Sequence, residues 1–476
     1  MGSKIKSILK LMDRKFMLDL NDNTKMIDLE PLKSASYKFY FGSLKKKYQN
    51  LNFKIISDEK KLMETPKNDH PYIILIILEL KKNYKPILLS YLNLLYDNNE
   101  IDDVIFFIEN LDNINKINYN IWFNLNGRKL VEFICNQFLD KRLPQDILNK
   151  FNNICPNIFN QFISLEIQFY CENKINIKHS LVIMNNNSKI NLTLYYPKNY
   201  KLDKLFLNKL IYRSFILSEV NDIHKTLNIN LWLTNFKKEF TSHYKTLGPK
   251  EINSGSSGGI SDSIDIWRLE ELPKVLMHEI YHNLDLDSKM YQYSDLVNFI
   301  KKTSDIGSDT KILINEAVTE ISAILTNSII STLEIYKNKD DSFLYSKFLD
   351  FLELERRYSI FQVSKILLHF GYDNAKDFFT PNKKKFLFKQ TTSVFSYFIV
   401  KTAILFNLDV YLDFMLKNFR NLKVDLNKKR NLETLILELI YDELFILKIN
   451  NTMKIIKNKD FSPSIKNTLR MSCVSS

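Results

Sequence analysis

Leu272-Pro-Lys-Val-Leu-Met-His278-Glu279-Ile280-Tyr281-His282-Asn283 is a helix by its flanks and a metal site by its middle. Glu270 and Glu271 suit an N-terminal turn, where backbone N–H groups lack partners and the dipole favours negative charge. Pro273 fits the first turn, Val275, Leu276, Ile280 and Leu284 form an apolar stripe, and Asn283 is a reasonable stop. His278 and His282 stand four apart, one turn above the other on one face, so both imidazoles reach one point. Neutral imidazole nitrogen ligates Zn²⁺ well, and three protein ligands leave a fourth position for water. Glu279 is placed to take that water's proton as it attacks a carbonyl and to pass it to a leaving amine.

Upstream, Leu181 to Met184 and Ile190 to Tyr196 read as a hairpin, residues 203–225 as a helix, and Ile229 to Thr234 as a strand. A loop follows from Phe236 to Ser263, holding four of the nine glycines, Gly248, Gly255, Gly258 and Gly259. A short strand from Ile264 to Trp267 then feeds the motif helix. An ordinary core-edge strand is one reading of it; that a substrate backbone adds along it is what the resemblance to zincins, given below, implies.

Downstream, Ile314-Asn315-Glu316-Ala317-Val318-Thr319-Glu320 lies in a segment from Lys311 to Thr326 with helical spacing, so Glu316 and Glu320 share a face. The plain reading is a solvated helix face. Together with the histidine motif, this run resembles the Asn-Glu-x-x-x-Asp/Glu element of the gluzincins, the thermolysin-like clan of zinc metallopeptidases. The resemblance covers about a tenth of the chain at the level of motifs. It implies Glu316 as third zinc ligand and Glu320 as the acid behind a ligand histidine, His278 being the expected one. The spacing departs from thermolysin, with 33 residues between His282 and Glu316, a difference that loops absorb cheaply. Asp285 and Asp287 are alternative ligands in an aspzincin-like arrangement. Ser288 stands where a metzincin needs a third histidine. The wider run from Ser263 to Glu279 also looks like uncharacterised zincins of giant DNA viruses, with which the Lys/Asn-rich composition agrees.

The clan takes the hydrogen-bond donor for its oxyanion from a Tyr or His beyond the third ligand, which here means His369, Tyr372 or Tyr397. Tyr397 is chosen because Ser393, Tyr397 and Lys401 recur every four residues in a helix-like stretch to Phe406. His70, His179, His224 and His243 have no metal spacing.

Only nine glycines and eleven prolines in 476 residues argue for an α+β, predominantly helical protein. The expected organisation is a helical region over 1–175 acting as prodomain, inhibitor or docking module, a zincin catalytic subdomain over 176–330, and a helical subdomain over 331–476. Strong helix candidates there are Phe343 to Leu368 and Leu432 to Ile449. The net charge of +13 comes from scattered basic residues, so no nucleic-acid site stands out. Cys135, Cys155, Cys171 and Cys473 lack paired spacing and read as reduced thiols. No stretch is long enough to span a membrane and no signal segment opens the chain, so a cytoplasmic or virion-associated location is expected. Gly2 narrowly misses a myristoylation motif. Cys473-Val474-Ser475-Ser476 has the outline of a prenylation box, with Ser475 a poor aliphatic; an unstructured tail is the plain reading. The expected activity is endopeptidase cleavage of a protein or peptide; the alternatives are an aminopeptidase or a zinc-binding structural virion protein without turnover.

Overall fold

The computed structural model describes residues 20, 24–63, 163, 167, 170–171, 175–185, 188–240, 246–258, 262–287, 293–419 and 429–474. The helical expectation around Ile101 to Leu111, Gly2, His70, His243, Cys135 and Cys155 lie outside them. The chain divides into two compact units, one of Met1–Lys61, Lys178–Tyr195 and Asn199–Ser476, the other of Leu62–Ile177 and Tyr196–Lys198. Nearly all described residues belong to the first, whose architecture is α+β and predominantly helical.

In chain order, leaving aside four-residue helical turns, the elements are α1 (Ser36–Asn50), β1 (Lys54–Leu62), β2 (Ile177–Asn185), β3 (Ser188–Tyr196), α2 (Lys204–Asn221), β4 (Thr226–Trp232), β5 (Gly255–Ser257), β6 (Ser263–Ile266), α3 (Leu272–Asn283), α4 (Ser294–Thr303), α5 (Ile314–Ile335) and α6 (Asp341–His369). A π-helical turn (Phe395–Val400) follows, then α7 (Lys401–Phe406), α8 (Leu408–Asn418), α9 (Lys429–Ile440) and α10 (Glu443–Asn458).

The strands make one mixed sheet in the order β1-β2-β3-β4-β6-β5. β3 and β4 are parallel and joined through α2, and β6 runs parallel to β4. Period-two alternation sets their burial: Leu227, Ile229 and Leu231 of β4 are buried while Asn228, Asn230 and Trp232 are half-buried. β5 pairs antiparallel with β6, which corrects the expectation for Ile264 to Trp267. That strand lies inside the sheet, and the edge beside the motif helix is Gly255–Ser257, from within the glycine-containing loop.

All twelve residues of α3 are buried, because α2, α5, β5 and β6 surround it. α5 is buried over most of its length and packs on α3, α6 and the π-helical turn. The stretch from Leu432 to Ile449 is two helices rather than one, broken at Tyr441 and Asp442, where the Asp442 side chain accepts from Leu444 N–H and caps α10.

The tail is not loose either. Leu469 to Val474 are buried, Cys473 being 1% exposed and packed with Tyr358, Phe361 and Phe461. A prenylated Cys473 would have to leave this core. Among the described residues no helix is long and apolar enough to cross a membrane.

Candidate metal centre

The C-terminal half of α3 and the first turn of α5 bring His278, His282 and Glu316 together, and among the described residues no other His/Cys/Asp/Glu group converges in this way. The two Nε2 atoms are 3.0 Å apart. Each lies 3.2 Å from Oε2 of Glu316. Two atoms about 2.0–2.1 Å from one tetrahedral ion are about 3.3 Å from each other, so these edges have the size that such an ion requires.

The opposite edge of each imidazole is held by an acid. Nδ1 of His278 lies 2.9 Å from Oε2 of Glu320, and Nδ1 of His282 lies 2.8 Å from Oδ2 of Asp287. With Nδ1 turned to a carboxylate, each ring presents its Nε2 inward. Two lone pairs and a carboxylate therefore face one point, an arrangement that only a cation or protons satisfy. Burial lowers the proton affinity of both histidines, but the surrounding carboxylates outweigh it. His278 is left above the usual histidine range and His282 well above it. Burial raises Glu316, and His282 and His278 more than reverse this, holding it well below the carboxylate range.

Asp287, one of the alternative ligands, thus stands behind a ligand instead. It also accepts from Asn315 Nδ2 at 3.2 Å, so the asparagine of the Asn-Glu pair steadies the acid that steadies His282. Asp285 adopts a left-handed conformation (φ 53°) in the turn that brings Asp287 back to the helix.

Glu279 is 6% exposed and hydrogen-bonded to the Ser257 side chain. Burial raises its carboxyl above the usual range, against the lowering influence of His278 and His282. A Cβ on Gly255 would lie 2.9 Å from Oε1 of Glu279 and 3.0 Å from Val275 Cγ1, so this glycine serves close packing of β5 on α3. Composition alone marked that loop only as glycine-containing.

Tyr397 reaches the site from the π-helical turn, an element enriched at functional positions. Its hydroxyl donates to Oε2 of Glu316 at 2.7 Å, and its ring centroid is 5.8 Å from that of His278. The other oxyanion candidates are elsewhere: Tyr372 donates to Asp305 at 2.6 Å, and the His369 ring packs on Phe240. His179 pairs with Asp58 at 2.6 Å and His224 lies 3.5 Å from Asp222, both away from the centre.

Comparison with known proteins adds one relative. No protein-family model matches the chain and no solved structure matches it significantly. The chain is similar to the uncharacterized protein R210 of Acanthamoeba polyphaga mimivirus, 27% identical over 236 residues that make up 48% of this chain and 59% of that one. The chain thus spans somewhat more than half the length of this giant-virus relative.

Proposed function

We propose that the protein is a zinc-dependent metallopeptidase, and that the similarity to a mimivirus protein marks it as viral. The observation that carries the reading is the convergence of His278, His282 and Glu316 with an acid behind each histidine and a buried glutamate beside them. Zn²⁺, when bound, supplies a Lewis acid that lowers the pKa of water to about 7 and polarises a carbonyl. His278, His282 and Glu316 are its ligands. Glu320 and Asp287 hold the histidines in the tautomer that offers Nε2.

Glu279 receives the proton of the attacking water. It passes that proton to the leaving nitrogen as the C–N bond breaks, so that the amine departs neutral. The Tyr397 hydroxyl is available to swing from Glu316 to a carbonyl oxygen that gains negative charge. Among the described residues Gly255–Ser257 is an edge strand of the sheet, beside Glu279, to which an extended peptide can add as a strand.

Elemental analysis of the metal-replete wild type, Glu316→Ala and Glu279→Gln, paired with cleavage of a quenched peptide library, tests it. About one zinc per chain is expected, weakened in Glu316→Ala, and retained in Glu279→Gln with turnover lowered about 10²–10⁴-fold. A wild type without zinc sinks the reading; zinc without any turnover replaces it with a structural metal protein.

A further inference from the structure

One turn before His278, Lys274 points the same way and is 1% exposed. Its ammonium lies 2.6 Å from Oε1 of Glu320, while Oε2 of that carboxylate lies 2.9 Å from His278 Nδ1. One carboxylate is therefore divided between a lysine and a ligand histidine. The lysine is itself fixed from behind. Glu271 stands 3.9 Å from it, pairs with Lys238 at 2.8 Å, and accepts the backbone N–H of Ser472 at 2.7 Å. All four charged side chains are at most 1% exposed.

A buried array of this kind contributes little net stability over apolar packing, because desolvation offsets the attraction. Its geometry does something that apolar packing cannot. With Oε1 tied to Lys274, rotation of the Glu320 carboxylate is stopped with the second oxygen on His278. The orientation of that imidazole follows from this contact. His282 has a different arrangement: one oxygen of Asp287 serves both the ring and Asn315, with no lysine involved.

Building on the metal-centre reading, we propose that Lys274 is a positioning residue: by holding one oxygen of Glu320 it aims His278 Nε2 at the metal. The test is a cycle of Lys274→Met, Glu320→Gln and the double variant. Zinc affinity is read by competition with a chromophoric chelator, and the His278 Nδ1–H resonance is followed by histidine-selective NMR in the metal-free proteins. Lys274→Met is expected to weaken zinc about 10-fold and to lose the resonance, as removal of a group behind a ligand does. In the Glu320→Gln background the same change should alter affinity less than about 3-fold, because Lys274 acts only through Glu320.

A role in stability alone would lower the melting temperature and leave both readouts in place. A folded Lys274→Met protein with its zinc affinity within about 3-fold of wild type and its resonance intact overturns the proposal. Should Lys274→Met fail to fold, Glu320→Gln and the double variant carry the test, since the double leaves no unmatched charge in that pair. A further loss of about 10-fold in the double overturns the proposal, and equal affinities support it. A wild type that binds no zinc, but whose Nδ1–H resonance disappears with Lys274, removes the metal reading and keeps the positioning role.

Discussion

The two halves of the motif helix α3 use the same kinds of residue to opposite ends. At its N-terminal end Lys238, Glu271, Lys274 and Glu320 bring each buried charge against an opposite one, and their side chains are at most 1% exposed. At its C-terminal end His278, His282 and Glu316 turn electron pairs toward one point, with side chains 6%, 9% and 15% exposed. The first group is complete within the chain. The second is not, since two imidazole nitrogens 3.0 Å apart with a carboxylate 3.2 Å from each require something positive between them. Both groups are largely buried; what differs between them is whether the charges and lone pairs balance.

The largest test of that contrast is on the balanced side. Lys238→Met leaves Glu271 facing the interior without its nearest cation, and destabilisation of about 3–5 kcal/mol is expected in chemical denaturation. Burial lowers the proton affinity of Lys238, with Glu271 opposing. Glu271 is kept below its usual range by Lys238, Lys274 and Arg470 in spite of burial, and the variant removes the largest of these opposing influences. Zinc affinity of the folded fraction should stay within about 3-fold, because Lys274 remains to hold Glu320. A variant as stable as wild type would show that the cluster is already relaxed by water.

On the unbalanced side Asp287→Ala removes the acceptor behind His282 and leaves its ring free to turn. A loss of about 10–100-fold in zinc affinity is expected, about 1.4–2.7 kcal/mol, with stability of the metal-free protein changed less than by Lys238→Met. Unchanged affinity would mean that α3 alone orients the ring.

Much of this site is legible in the residues, for a physical reason. His278 with His282, and Glu316 with Glu320, are local pairs whose relation is set by helical pitch, so spacing is enough to align each pair. The four-residue recurrence of Ser393, Tyr397 and Lys401 singles out a tyrosine whose hydroxyl reaches Glu316, although the segment is a π-helical turn rather than the regular helix that spacing suggests. What stayed hidden depends on tertiary structure. Gly255 looks like loop flexibility until β5 is seen folded back on Glu279. Asp287 looks like a ligand by proximity until the left-handed Asp285 turns it behind His282. Ser472 to Val474 look like a tail because nothing local shows that Glu355 accepts three of their groups: Ser472 Oγ, Cys473 N–H and Val474 N–H. The fold is similar in this respect: βαβ and the long helices follow from periodicity, while the edge position of a three-residue strand does not.

The smallest expected effect is on the pH dependence of stability, and it separates the halves by sign. Without metal, the raised proton affinity of His278 and His282 contributes stability that is fully present below the ordinary histidine value of about 6.5. It is lost as pH rises through their higher folded-state values. The depressed Glu316 contributes above the ordinary carboxylate range and is lost only in strong acid, so it adds no slope near neutrality. Chelated protein should therefore melt a few degrees lower as pH is raised from about 6.5. Metal reverses the slope, because binding expels those protons and grows stronger as they become scarce. The window closes near the point where Lys401, pushed down to about 8 by burial against the opposing pull of Glu320, begins to lose its own proton. A lysine whose folded-state value is lowered gives stability that rises with pH, and so masks the histidines above that point. Replacing His282 by Gln should flatten the metal-free slope while leaving the lysine's rise in place. A metal-free melting temperature that climbs steadily from pH 6.5 would mean that the three side chains do not share protons, and hence do not converge as described.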